Sequence, residues 1–315
     1  MTSARLRFRL PLLAALLLFT IPLPSAAAPP EKDYSFGLIA DCQYCSVEGT
    51  GVRKYSMSDQ KLIDAVSHLN RLKMKFTVHL GDFIDRDAES LDIVGPIYDK
   101  LKAPGYHVLG NHDFSVADSL KEGVPLKMGM PGNYYAIEIK GPAPRKARTW
   151  RFIILDGNDI SFYAYSIESD GYRKAETYYH RNNPNAPKWN GAIGNEQLAW
   201  LEDELAEAKE EGQNVVLLCH FPVYPENIHN LWNAPEVLAI IDAHPVVKAW
   251  VNGHNHTGNY ATRNGVHYLT LKGMVDTEET SYAIIDVYDD RLVLTGVGRE
   301  EDRVMSILSG RPDSQ

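Results

Sequence analysis

Cysteine is scarce in this chain: Cys42, Cys45 and Cys219 are the only three in 315 residues, too few for a disulfide scaffold. Cys42 and Cys219 close apolar runs and read as small buried hydrophobes, with a Cys42–Cys45 bridge as the alternative. Positive charge is also short. Against 41 Asp and Glu stand 32 Lys and Arg, a net of −9, which argues against a nucleic-acid binder with its basic face. No apolar run reaches the roughly 20 residues that a bilayer span needs. Repeats and low-complexity linkers are missing, so nothing divides the chain. At 44% hydrophobic and 23% charged residues, disorder, collagen and coiled coil are excluded.

What is there begins with a three-part N-terminus: basic Arg5 to Arg9, an apolar stretch Leu10–Ile21, and Ser25-Ala26-Ala27-Ala28 before Pro29-Pro30. That order reads as a signal peptide over residues 1–28, cut after Ala28, with export to the periplasm or beyond and no stable membrane insertion. Without Arg5, Arg7 and Arg9 the balance becomes 29 basic against 41 acidic side chains, a net of −12. Small phosphorylated substrates remain open, because a metal ion supplies positive charge locally. Residues 29–315 fit one α/β domain.

Short apolar runs at Phe36–Ala40, Phe76–Leu80, Tyr106–Leu109, Phe152–Leu155, Val215–Leu218 and Val247–Val251 read as buried strands. Between them, Leu62, Ile63, Val66, Leu69 and Leu72 share one helical face, as do Leu198, Leu201 and Leu205 opposite the acidic run Glu202–Glu211. Strand–helix alternation predicts a layered α/β fold. Later segments, Tyr260, Val266–Leu271, Ala283–Val287 and Leu292–Val297, are separated by turns and predict an antiparallel meander that completes a second sheet. Residues 114–148 and 157–189, rich in Gly, Pro, Tyr and Asn, read as loops, either of which suits a substrate lid.

Five apolar strands finish in metal-capable side chains: Asp41 and Gln43; Asp82; Asn111, His112 and Asp113; His220; and His254 and His256. Sites in layered α/β proteins form outside the carboxyl ends of strands, where such ends meet. Mixed N/O donors without thiolate suit Mn²⁺, Fe or Zn²⁺, and their number suits two adjacent cations. In extended chain His254 and His256 point to the same side, as do Asp41 and Gln43. Gly81, Gly110 and Gly253 permit the turns that aim them inward.

Asp41-x-Gln43, Gly81-Asp82, Gly110-Asn111-His112-Asp113, His220 and Gly253-His254-Asn255-His256 resemble, in order, the five motifs of the calcineurin-like metallophosphoesterase superfamily. The resemblance implies two facing mixed β-sheets flanked by helices. It implies one ion on Asp41, Gln43, Asp82 and His256, a second on Asp82, Asn111, His220 and His254, and Asp82 as the bridge. Gln43 where the superfamily usually has His is similar to the manganese-dependent ADP-ribose/CDP-alcohol diphosphatases. So are Arg53-Lys54-Tyr55, Asn190–Leu198, Phe221–Pro225, Leu231-Trp232-Asn233 and Gly298–Met305. Departures are Asp113, commonly Glu in that group, and His229-Asn230, where a Cys and a small apolar residue are usual; the second stands where the resemblance implies the nucleobase.

The implied activity is hydrolysis of the diphosphate bond of nucleotide conjugates, with a phosphomonoesterase or phosphoprotein phosphatase on the same centre as the alternative. Two cations about 3.5–4 Å apart lower the pKa of a bridging water, so that hydroxide attacks phosphorus in line. His112 is the expected acid for the leaving oxygen, with Asp113 as its orienter. Arg53 is expected at a second phosphate, and Arg86 at a second phosphate or as a solvated loop charge. Tyr55 joins the substrate-binding candidates, and Tyr224 and Trp232 are candidates for stacking on a base or for packing. Asp85 either orients a ligand or caps the next helix. His79 and His107 read as core histidines, and His68, His180, His244 and His267 as surface ones.

Overall fold

The computed structural model describes residues 31–141 and 149–307; the expected leader lies outside the described residues. Twelve strands form two six-stranded mixed sheets. The first runs β14 (Arg303–Ser306), β13 (Arg291–Gly298), β12 (Ser281–Val287), β1 (Tyr34–Ile39), β2 (Thr77–His79), β3 (Gly105–His107). The second runs β10 (Thr257–Arg263), β11 (Val266–Lys272), β9 (Val247–Asn252), β8 (Asn214–Leu218), β5 (Trp150–Ile154), β4 (Tyr135–Ile139). A two-residue ribbon, β6 (Ile160–Ser161) with β7 (Gly191–Ala192), stands apart. Strands β1, β2 and β3 are parallel, as are β5, β8, β9 and β11, so their carboxyl ends open on a common side within each sheet.

Alternation along each strand builds the layers. Phe36, Leu38 and Ala40 join Val78, Phe152, Val216, Leu218, Val251 and Leu269 in a core between the sheets. Ile39, between them, faces outward onto α1 (Ser58–Arg71) and α2 (Ser90–Tyr98). Val215 and Leu217 likewise face α5 (Asn195–Glu210) and α6 (Ala234–Ala243). Burial on both faces is why these strands are continuous apolar runs. Phe36 stacks on Phe76 at 4.8 Å, and Phe152 meets Phe76 edge-on at 4.8 Å, locking one sheet to the other.

The helical stripes agree with the sequence except at their margins. In α1, Leu62, Ala65, Val66 and Leu69 are buried, but Ile63 and Leu72 are exposed, because they lie off the i, i+4 line that meets the sheet. The C-terminal strands correct the expected meander: β11 stays parallel to β9 in the second sheet, while β12 crosses to the first and pairs antiparallel with β1. Hairpins β10–β11 and β12–β13 carry the same turn-separated pattern, which does not encode the sheet that each joins. Residues 114–141 hold a short helix α3 (Val124–Lys127) and β4, and 157–189 hold α4 (Asp170–Asn182), where loops were expected. All three cysteines are buried and free, so Cys42 and Cys45 are not bridged.

His79 and His107 are core residues, packed around Phe83 at 4.7 and 4.9 Å. Both ring nitrogens of His79 and Nδ1 of His107 lack hydrogen-bond partners. Burial pushes His107 down to about 3, so the folded chain refuses a proton that the unfolded chain accepts near pH 6.5. Its contribution to stability is complete above that value and declines as pH falls toward 3. His107→Phe is expected to remove about 1–2 kcal/mol of the stability lost between pH 6.5 and 5; urea unfolding of both proteins at the two pH values measures it.

Candidate metal centre

The sequence-predicted ligands meet at the carboxyl ends of β1, β2, β8 and β9 and the loop after β3. All seven side chains are buried: Asp41, Gln43, Asp82, Asn111, His220, His254 and His256. Asp41, Gln43, Asp82 and His254 have φ of 53, 44, 57 and 68°, in the left-handed region that such residues seldom adopt. Backbone bonds hold them there: Gln43 N–H donates to Asp82 O at 2.8 Å and Val275 N–H to Asp41 O at 2.9 Å. Gly110 is required where it stands, because a Cβ would collide with the backbone and carboxylate of Asp82.

Each imidazole has one nitrogen assigned outward. His220 Nδ1 donates to Leu80 O at 2.8 Å, His254 Nε2 to Asn190 Oδ1 at 2.9 Å, and His256 Nδ1 to Asp276 Oδ1 at 3.1 Å. Their other nitrogens turn inward. His220 Nε2 lies 3.1 Å from His254 Nδ1 and 3.2 Å from Asp82 Oδ2; His256 Nε2 lies 3.2 Å from Asp41 Oδ1. Two groups result, Asp82 with His220 and His254, and Asp41 with Asp82 and His256; the ligand atoms of each lie within 4.8 Å of one another. Asp82 belongs to both. Asn111, 1% exposed, has no hydrogen-bond partner for either side-chain atom, so it offers a carbonyl oxygen to a cation.

This concentration of acceptors calls for positive charge. Burial pushes Asp41 up to about 7. Burial would also raise Asp82, but His220 and His112 hold it well below the usual carboxylate range. Burial works against a proton on His220, yet Asp82 carries the group up to about 9, while burial and His220 hold His254 well below 6.5. The donor set fits two divalent cations, one on each group, with Asp82 between them.

Other expected residues are placed differently. His112 Nδ1 meets Asp85 Oδ1 at 3.0 Å, so Asp85 is its orienter, not Asp113. Asp113 lies beneath the centre and accepts from the backbone N–H of Asp82 (3.0 Å), Phe83 (2.7 Å), Ile84 (3.3 Å) and Gly110 (2.8 Å). It staples the two motif loops. Arg53 is expected at a second phosphate but lies against the His256 ring, with Nη1 2.8 Å from Asp276 Oδ1 and 3.4 Å from Gln43 Oε1. Tyr55 carries the Arg86 guanidinium over its ring at 5.2 Å. Tyr224 packs on Tyr268, and Trp232 is buried against Phe162 and Tyr179 with Nε1 donating to Pro187 O. Both therefore pack rather than present a stacking face. His267 is also buried, between Tyr260 Oη and Ser306 O.

Asp276 and Asn190 are the positioning groups that sequence reasoning missed. Asp276 sits four residues past the end of β11, a sixth strand end at this edge, and a carboxylate soon after an apolar strand was its signal. Asn190 is one residue before β7 and opens the Asn190–Leu198 stretch that carries the resemblance, a signal that did not give its role.

Replacing Asp113 by Ala leaves four backbone donors unpaired under the centre. A loss of about 3–5 kcal/mol is expected, measured by urea unfolding.

The family model for calcineurin-like phosphoesterase matches residues 34–258. A Xenopus tropicalis protein named manganese-dependent ADP-ribose/CDP-alcohol diphosphatase is 31% identical over 328 residues, covering 87% of this chain and 94% of its own. The Homo sapiens protein of the same name is 30% identical, covering 92% and 98%. A dimetal phosphatase from Danio rerio superposes with a TM-score of 0.77 at 28% identity, covering 88% of this chain and all of its own. Ligand set, layered sheets and these likenesses agree: the chain belongs to the calcineurin-like phosphoesterase family.

Proposed function

We propose that the protein is an exported diphosphatase that splits nucleotide conjugates of the ADP-ribose or CDP-alcohol kind into two monophosphates, with two divalent cations, Mn²⁺ foremost. The observation that carries the chemistry is Asp82, one carboxylate shared by two buried donor groups. The names of relatives alike over nearly their whole length support the substrate class and the choice of manganese. Export rests on the basic, apolar and small-residue order of residues 1–28.

Asp41, Gln43, Asp82 and His256 would hold one ion, and Asp82, Asn111, His220 and His254 the other. Bound there, the pair supplies Lewis acidity toward a phosphoryl group and an activated water. The protein does the rest. Leu80 O, Asn190 and Asp276 each take up the outer nitrogen of one ring, which leaves the opposite nitrogen to face a cation once a proton leaves His220 and Arg53 leaves His256. His112 N–H donates to Asp82 Oδ1 at 2.8 Å, tying the candidate acid to the bridging carboxylate. Burial disfavours the His112 imidazolium, but Asp82 and the Asp85 hydrogen bond outweigh it and raise its pKa above the ordinary value. With Nδ1 on Asp85, Nε2 is the atom left to give a proton to the departing oxygen.

Three measurements test this reading. The metal-stripped protein given Mn²⁺ is expected to yield nucleoside monophosphate from ADP-ribose or CDP-choline; free phosphate from monoesters alone would leave the metal chemistry and discard the substrate class. Asp82→Ala is expected to lose both ions by elemental analysis and at least 1000-fold in turnover, on the order of a lost metal site; two tightly held ions would refute the shared ligand. His112→Ala is expected to keep the metals and slow turnover about 100-fold, most for poor leaving groups. A uniform rate across a leaving-group series would remove its role as acid.

A further inference from the structure

Binding a diphosphate needs a donor for the phosphate that is not attacked, and the expected one, Arg53, is turned onto Asp276 and His256. Arg86 lies over Tyr55, and His112 is held by Asp85 for proton transfer. The loop between β8 and α6 presents another donor. His229 is half-buried, and its ring stands edge-on to His254 with centroids 5.6 Å apart. Among the described residues no hydrogen bond to its ring nitrogens is found.

The loop around it is braced. Asn227 Oδ1 accepts the His229 N–H at 2.8 Å, and Asn227 Nδ2 donates to Pro225 O at 2.8 Å. Asn230 Nδ2 donates to the same carbonyl at 3.1 Å, and Leu231 N–H to Pro222 O at 3.0 Å. Asn190, 1% exposed, spans two elements: Oδ1 takes His254 Nε2–H, and Nδ2 donates to Ile228 O at 2.8 Å. One buried amide therefore sets both the tautomer of a candidate metal ligand and the backbone position just before His229. Bracing of this kind lowers the ordering cost of a contact, and an imidazole of either tautomer keeps an N–H for a phosphate oxygen.

We infer that His229 is a specificity-determining residue, donating a hydrogen bond to the second phosphate of a diphosphate whose first phosphate lies over the centre, with Asn190 as its positioning residue. The inference rests on the diphosphatase reading. It departs from the nucleobase that the resemblance implies at this loop, because the His229 ring stands beside His254, a candidate metal ligand, where the phosphate chain must lie.

The test uses the full chain loaded with Mn²⁺ and the variants His229→Leu and His229→Gln. Imidodiphosphate and inorganic phosphate are titrated by calorimetry, with metal content checked by elemental analysis. His229→Leu is expected to retain its ions and lower the preference for imidodiphosphate over phosphate about ten-fold, and the Gln variant, which keeps an N–H donor, to recover most of it. With ADP-ribose, the leucine variant is expected to raise KM more than it lowers kcat. An unchanged preference, equal weakening of both anions, or loss of metal overturns the inference, the last two showing that His229 acts through His254. If no diphosphate conjugate is cleaved, the functional reading fails by itself, and the two anion titrations still decide the role of His229.

Discussion

Everything at this edge of the molecule depends on keeping acceptors that repel one another close together and dry. Asp41, Asp82, the inward nitrogens of His220, His254 and His256, and the unpartnered Asn111 amide converge among buried side chains. Such a cluster is unstable without positive charge. The raised proton affinity of His220 and the Arg53 guanidinium against His256 are both responses to that field. Two divalent cations satisfy it more completely than either.

The scaffold holds the cluster by rigidity, not by local preference. Four of the candidate ligands occupy left-handed backbone conformations that cost energy for any side chain with a Cβ. They persist because the sheets beneath them are locked by the Phe36–Phe76–Phe152 contact and because Asp113 gathers four backbone donors from two loops. Burial and the Asp82 charge both favour protonating Asp113, but its two oxygens face only donors, so the pocket is shaped for the ionised form. A carboxylate that the sequence places among the reacting groups thus serves as a structural anchor. Asp276 and Asn190 take the outer nitrogens of His256 and His254, and Asp85 that of His112, so each decides which nitrogen its ring turns inward.

The layered fold was legible because strands buried on both faces are continuous apolar runs, and the candidate ligands because the runs end in polar residues of metal-binding type. Leu198, Leu201 and Leu205 marked α5 for the same reason of periodicity. Illegible were α4 and β4, whose surfaces are mixed: Ala175 and Tyr179 are the buried residues of α4, and Ile139 that of β4. Trp232 and Tyr224 were ambiguous because an aromatic ring carries the same composition signal whether it packs or waits for a base. Arg53 was ambiguous because a guanidinium suits a phosphate and a carboxylate equally, and its reach to Asp276 is a contact between distant parts of the chain.

By itself, then, the sequence determined the layer type, the five strand ends, the identity of all seven candidate ligands and their mixed N/O chemistry. The strand ends follow from local pattern and the N/O chemistry from residue type, which do not change on folding, while the motif resemblance singles out the seven. Tertiary structure alone decided which sheet the last strands join, that His112 leans on Asp85 while Asp113 anchors backbone, and that His229 faces the ring of His254. Such contacts link positions up to hundreds of residues apart, and their geometry is set by the register and packing of two sheets, which no short stretch of sequence contains.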